Sequence, residues 1–274
     1  MAFKIKRYHN TKYLTIFAVI VAAALIVFLI GLGVSRLAGA QNTTVILPGG
    51  EEIKFTGMFD KDGNPVSGTL YYANGMQAEI DVTKGTVTYS DGTVYEGALD
   101  ADYRRTGKGK ITWKNGDVYE GEFVADKLTG YGVYKFASGD VYEGELLGGD
   151  KHGEGKYTSA DGTVYEGSFR KNRFHGKGKL SSPNGAVYEG EFIGGVKSGY
   201  GTYKYAGGDY YEGEFKGDLR HGEGKYIWAN GETYTGDFVK GNMYGYGTYT
   251  WPEGRASYTG YFENGVIVVI DPKK

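Results

Sequence analysis

The chain has no cysteine among its 274 residues. That excludes disulfides, thiolate metal sites and a cysteine nucleophile, and it fits an exported protein that avoids stray oxidation. It has little net charge, -2 at pH 7, so the molecule as a whole does not advertise nucleic-acid binding. Gly and Pro together make 53 of 274 residues, below the level at which composition alone signals disorder. Only one long apolar run is present, near the N-terminus, and no later segment is apolar enough to span a bilayer. What is abundant is glycine, 48 residues, and tyrosine, 26 residues. That combination points to many turns and many strands.

Residues Tyr13 to Val34 carry no charge. As a helix, a run of this length rises about 33 Å, enough to cross a hydrocarbon core of about 30 Å. Lys4, Lys6, Arg7 and Lys12 precede it, while Arg36 stands alone until Lys54. This asymmetry predicts a single-pass membrane protein whose tail, residues 1–12, is cytoplasmic and whose remainder is extracytoplasmic. A cleaved signal peptide, cut near Ala38 to Ala40, is the competing reading, but a signal core is usually shorter. Residues 35–50 read as a polar linker and residues 51–94 as a degraded, capping repeat region.

From there the chain repeats itself. The tyrosine of a Tyr-(Glu/Thr)-Gly motif recurs at Tyr95, Tyr119, Tyr142, Tyr165, Tyr188, Tyr211, Tyr234 and Tyr258. The step is 23 residues, with 24 at the two ends. A Gly-x-Gly motif follows the same period, from Gly107/Gly109 to Gly245/Gly247. Such a period signals a repeat architecture. Asn115-Gly116 and its equivalents predict a two-residue hairpin turn with both central residues at positive φ. Strands from Gly107 to Trp113 and from Val118 to Val124 would flank it, and a longer loop would lead to the next hairpin. With strand period two, Gly107, Gly109, Ile111 and Trp113 share a face, and register should set them against Tyr119, Gly121 and Phe123. Rings of one strand could then lie over bare glycines of the next. The opposite face carries Lys108, Lys110, Glu120 and Glu122, whose pairing serves mainly solubility. Eight repeats of two strands predict a ribbon about 75–80 Å long. Residues 95–265 form this array, and residues 266–274 form a capping strand and tail. The apolar run Val266 to Ile270 closes the last hairpin or pairs with a second copy.

These residues carry a family resemblance. Tyr-Glu-Gly-x-Phe, the Gly-x-Gly pair and the turn recur together from about Phe55 to Gly265, and the pattern resembles the MORN repeat (membrane occupation and recognition nexus). The resemblance implies an all-β, elongated, single-layer ribbon of antiparallel hairpins with an aromatic concave groove, here preceded by one transmembrane helix. It also implies non-catalytic work: tethering, scaffolding and protein contact; lipid binding has been proposed for the family, and such arrays can self-associate through terminal repeats. Outward placement argues against inner-leaflet lipids and suits a bacterial envelope protein.

His152, His175 and His221 sit at equivalent positions, about 10 Å apart, too far to share one metal ion. The Gly-Lys-rich stretches precede strands, not helices, so they are not phosphate loops. The carboxylates alternate on a solvent face with none unique to one repeat, so no enzyme and no cofactor is expected. The candidate site is an aromatic strip on the inner face: Trp113, Tyr134, Phe136, Tyr157, Tyr203, Tyr205, Tyr226, Trp228, Tyr249 and Trp251. Ser159 and Ser182 interrupt it and would divide it into two zones. A single-layer sheet cannot cover such a strip fully, and exposed aromatics mark partner sites. The function expected is a membrane-anchored scaffold that binds protein partners at the cell envelope, with cell-wall synthesis or division as the setting. Its partners are proteins at the membrane or wall, with a homodimer through the C-terminal repeats also open and no nucleic acid. The alternatives are a carbohydrate or cell-wall binding module, to which Tyr71 to Ile80 is faintly similar, and a lipid-contacting ribbon.

Overall fold

The computed structural model describes residues 41–46 and 52–269. Within each of two compact units every strand pairs antiparallel with its neighbours, and no helix occurs among the described residues, so the fold is all-β. The expected transmembrane helix, Tyr13 to Val34, lies outside the described residues. Among the described residues no helix is long and apolar enough to cross a membrane. Two compact units divide at Lys127.

In the first unit, β1 (Gln41–Ile46), β2 (Glu52–Phe59), β3 (Pro65–Tyr71) and β4 (Gln77–Asp81) pair in chain order. β5 (Thr86–Tyr89), β6 (Val94–Leu99), β7 (Arg105–Thr112) and β8 (Val118–Val124) continue the series. Part of the expected linker is therefore a strand. The reason is its alternation: Thr43 and Val45 are half-buried opposite Phe55 and Ile53, while Asn42 and Thr44 face out. The degraded region keeps the repeat's packing with a different ring. Phe55 lies over Gly57 and Gly68, where a methyl group would come within 2.6 and 2.9 Å of its ring.

The second unit runs through β9 (Lys127–Lys135), β10 (Val141–Leu147), β11 (Asp150–Thr158), β12 (Val164–Arg170), β13 (Arg173–Ser181), β14 (Val187–Ile193) and β15 (Val196–Lys204). It continues with β16 (Tyr210–Lys216), β17 (Leu219–Ile227), β18 (Thr233–Val239), β19 (Asn242–Thr250), β20 (Tyr258–Glu263) and β21 (Val266–Val268). Each pairs with the next, and β21 closes the last hairpin as a short capping strand.

The predicted register holds. Gly107, Gly109 and Ile111 face Phe123, Gly121 and Tyr119, and Lys108 and Lys110 face Glu122 and Glu120. The turns are exchanged, however. At Asn115-Gly116 the chain makes a five-residue loop in which Trp113 N–H donates to Asp117 O and Gly116 N–H donates to Trp113 O. Only Gly116 has positive φ, 92°. This is a β-turn followed by a left-handed glycine, a bulged hairpin that accepts the same Asn-Gly pair. The two-residue turns lie where a longer loop was expected. Lys171 and Asn172 have φ of 49° and 67°, and Gly194 and Gly195 have 63° and 99°. Both central residues are left-handed, as a type I′ turn requires. A bulge beside these turns hides the alternation: Gly190 faces Gly201, yet Glu191 faces Ser198, so Gly199 and Tyr200 are extra. Gly199, the first glycine of its pair, takes φ of 63° there. His152, His175 and His221, expected in loops, lie within strands β11, β13 and β17 beside this bulge.

One tyrosine resolves the bulge. The ring of Tyr188 lies across Gly190 and Gly201, and its hydroxyl donates to Glu191 O at 2.9 Å. Tyr95, Tyr119, Tyr142, Tyr165, Tyr211 and Tyr234 repeat this bond to the residue three further on. All seven are 0–1% exposed. Edge-on rings lock them in place. Phe192 and Phe215 meet Tyr188 at 5.0 Å, the first from its own strand and the second from the next repeat. Burial of each such ring stabilises by roughly 2–3 kcal/mol and each edge-on pair adds about 1 kcal/mol. The exposed Lys156–Glu166 bridge, at 2.9 Å, is screened by solvent, so the rings carry the stability.

Successive repeats are also stitched by backbone. The second residue of each two-residue turn donates its N–H to a carbonyl one repeat earlier: Asn172 to Lys151, Gly195 to Phe174, Asp218 to Lys197 and Gly241 to Arg220. Where that residue is Asn or Asp, its side chain takes the reciprocal N–H, as Asn172 does from Lys151 at 2.8 Å.

Two substitutions in one repeat separate the contributions. Gly201→Ala places a methyl within 2.7 Å of the Tyr188 hydroxyl and is expected to destabilise by about 1–3 kcal/mol. Tyr188→Phe keeps the ring and removes one hydrogen bond, at a cost of about 1–2 kcal/mol. Denaturant midpoints of the full chain check this, with both variants expected below the parent chain.

Candidate functional site

The aromatic strip occupies the five-residue-loop end of the inner face. In the second unit each odd-numbered strand from β9 to β19 brings two inner-face residues there. The second of them opens the loop, as Trp228 does by donating its N–H to Glu232 O. The first lies opposite the buried tyrosines: Tyr226 faces Tyr211 on one side and Tyr234 on the other. The strip thus rests against the core row and is held half-buried, with Tyr226 the most covered at 7%.

Contacts follow the division at Ser159 and Ser182. Near β9, Tyr134 and Phe136 stack at 4.2 Å and 29°. Tyr157 joins them through a shared cation, because Lys151 Nζ lies 5.2 Å from the Phe136 ring and 5.1 Å from the Tyr157 ring. Between them and the next zone stand Leu180 and Ser182. From Tyr203 onward six rings form one unbroken chain. Tyr203–Tyr205, Tyr226–Trp228 and Tyr249–Trp251 are pairs within a repeat, at 4.3, 4.6 and 4.8 Å, tilted by 55°, 57° and 52°. Tyr205–Tyr226 and Trp228–Tyr249 link the pairs at 5.8 and 5.2 Å. Trp113 belongs to the first unit, where it opens the loop that ends at Asp117.

Two sets of charged residues frame the rings, and neither was foreseen from the sequence. On the turn side, Lys197 lies 4.9 Å over Tyr203 and Arg220 lies 4.6 Å over Tyr226. The Arg220 guanidinium also donates to Gly241 O at 2.6 Å. Burial among rings pushes the Lys151 ammonium below its ordinary pKa. On the loop side, carboxylates hold the strip hydroxyls. Tyr226 donates to Asp209 at 2.5 Å and Tyr249 donates to Glu232 at 2.7 Å. Asp209 also accepts from Ala229 N–H at 2.9 Å, and Asp140 accepts from Ala160 N–H at 2.8 Å. The hydroxyl bonds hold Asp209 and Glu232 below the usual carboxylate range, and the Ala160 N–H does so first for Asp140. The signal in the sequence is the acid that closes four of the loops, Asp117, Asp140, Asp209 and Glu232.

The second glutamate of each motif also does more than face solvent. Glu145 accepts the bulge N–H of Glu154 at 3.1 Å, and its carboxylate covers Gly153. Among the described residues no group of three or more His, Asp or Glu is placed to hold a metal.

The geometry defines an all-β hairpin-repeat protein with a half-buried aromatic face. The MORN repeat family model matches seven consecutive segments, residues 101–118, 119–141, 142–164, 165–187, 188–210, 211–233 and 234–254. The chain belongs to the MORN-repeat family. No curated protein matches it in sequence. Among solved structures, the TCP10 domain of Danio rerio CPAP is 14% identical, with 71% of this chain and 94% of that one covered and a TM-score of 0.37. The TCP10c domain of Drosophila melanogaster Sas-4 is also 14% identical, covering 63% and 99%, at a TM-score of 0.33. Both likenesses are too distant to bear on function.

Alkali should reveal the buried hydroxyls. Burial raises Tyr95, Tyr119, Tyr165, Tyr188 and Tyr234 to about 12. In the strip, burial and then a carboxylate partner raise Tyr157 and Tyr249 to about 12. The unfolded chain ionises near 10. The tyrosine contribution to stability should therefore be constant from neutral pH to about 10 and fall as pH rises from there to about 12. Melting temperature against pH, with tyrosinate absorbance in parallel, checks this.

Proposed function

We propose that this chain is a membrane-anchored, non-catalytic scaffold whose repeats hold protein partners at the cell envelope. The six-ring chain from Tyr203 to Trp251 carries the reading. It presents a row of rings that the sheet half-covers, and aromatic residues of this kind anchor protein contacts. The uncharged run Tyr13 to Val34 would be the anchor, and the four basic residues before it support an outward orientation of the repeats. Cell-wall synthesis and division are the processes that such a location serves. A repeat in which every unit is chemically alike supports a surface of many equal contacts more readily than a single reaction centre.

Two measurements test the proposal. The full chain, isolated from the membranes of cells that carry it, should bring down a defined set of proteins. That set should be lost with Trp228→Ala and Trp251→Ala together. Retention on purified cell wall with no protein recovered would favour the carbohydrate reading instead. Because the chain lacks cysteine, Asn242→Cys gives a single reactive site at the exposed start of β19. An impermeant thiol reagent should label it on intact cells, and labelling only after lysis would refute the outward placement.

A further inference from the structure

The reading of the strip as a protein-binding face can be deepened by asking what shape of partner matches its repeat. The tilted ring pairs Tyr203–Tyr205, Tyr226–Trp228 and Tyr249–Trp251 recur once per repeat, with closely similar spacing and tilt. They run across the strands, so their repeat is two strand spacings, about 9.6 Å. A polyproline II segment advances about 9.3 Å in three residues, with the same face presented at every third position. Over two repeats the mismatch is only about 0.6 Å. An α-helix places equivalent residues about 10.5 Å apart over seven residues, a mismatch of nearly 2 Å over the same span. A β-strand presents one face about every 6.6 Å and falls out of step at once. Aromatic grooves are the usual receptors of polyproline II segments, because a stiff, preformed ligand loses little entropy.

Charge selects further. The second unit has five five-residue loops along this edge: Phe136–Asp140, Ser159–Thr163, Ser182–Ala186, Tyr205–Asp209 and Trp228–Glu232. They contain Asp140, Asp161, Asp209 and Glu232 and no basic residue. The last, irregular loop adds Glu253 and Arg255, which offset each other. Asp209 and Glu232 stand beside the ring chain and titrate below the usual carboxylate range, so this loop edge is negative at neutral pH, while Lys197 and Arg220 lie over the rings on the turn side. A carboxylate engaged by one hydroxyl keeps further acceptor positions for a second donor.

We propose that the ring chain from Tyr203 to Trp251 binds a basic, proline-rich protein segment in polyproline II conformation, its prolines spaced by three and its Lys or Arg side chains turned to the loop carboxylates. This rests on the protein-binding reading above. The segment lies across β15 to β19, one turn per repeat, and the half-buried rings that flank the buried Tyr226 take prolines while the acidic edge fixes which side chains lie outward.

Labelled peptides and the full chain in detergent test it by fluorescence anisotropy. A peptide of three Pro-Ala-Lys units should bind, and one of three Pro-Ala-Glu units should bind at least about tenfold more weakly at low salt. A peptide of three Pro-Ala-Ala-Lys units, with period four, should also lose about tenfold. Trp228→Ala should weaken the first peptide about tenfold or more. Tyr200→Ser, on the opposite face, should leave it unchanged. Asp209→Asn with Glu232→Gln keeps the tyrosine contacts and should erase the preference for Lys over Glu, which guards against misfolding of the tryptophan variant. No binding by the first peptide, equal binding at period four, or indifference to Trp228→Ala would overturn the proposal. If the peptides fail while Trp228→Ala with Trp251→Ala still releases membrane partners, the ligand class falls and the scaffold reading stands. If the peptides behave as expected but membrane partners ignore the same substitutions, the ligand class holds and the scaffold reading falls.

Discussion

The structure depends on one contact: a tyrosine ring laid across two glycines on adjacent strands, its hydroxyl bonded to a carbonyl three residues on. The bulge beside each two-residue turn breaks the regular ladder and leaves backbone groups without strand partners. A buried, unpaired carbonyl costs about 1–3 kcal/mol. The tyrosine hydroxyl meets it, and the second glutamate of the motif, as Glu145 shows, meets an N–H on the facing strand. The ring needs bare backbone beneath it, which is why glycine appears in register on both strands. Tyrosine, glycine pair and glutamate are therefore one device, and the period of the sequence is the period of that device.

That device explains what could be read in advance. Alternation placed the glycines and rings on one face and the Lys and Glu residues on the other, and the structure keeps that register. Turn types were harder, because Asn-Gly serves both a two-residue primed turn and a five-residue bulged one. The bulge at Gly199 then disguised the true primed turn at Gly194-Gly195. β1 resembles a linker in sequence because four polar residues, Gln41 to Thr44, open it and a Pro-Gly-Gly stretch follows soon after; only pairing with Ile53 and Phe55 reveals the alternation. The aromatic strip was legible residue by residue, but its setting was not. Arg220 over Tyr226 and Asp209 beneath its hydroxyl come from different strands, and nothing local in the sequence announces that they meet.

The position that carries Arg220 shows how much freedom the device leaves. One repeat apart it holds Arg105, Leu128, Lys151, Phe174, Lys197, Arg220 and Met243. Each can cover a ring, whether by a cation over its face, by stacking as Phe174 does on Tyr165 at 3.7 Å, or by an apolar chain. The core tolerates all of these because the ring they cover is already fixed by its glycines. Variation is thus confined to places that tune the surface of the strip and excluded from places that hold it up.

The backbone stitch from each two-residue turn to the repeat before it has a further implication. It joins each unit to its predecessor by the same bond wherever it occurs, and the two 24-residue steps place their extra residue in connecting segments, leaving the glycine and tyrosine register undisturbed. A duplication or loss of one whole unit during replication would leave every joint of the same kind as before. The number of units is therefore free to change while the chemistry of each rung stays constant.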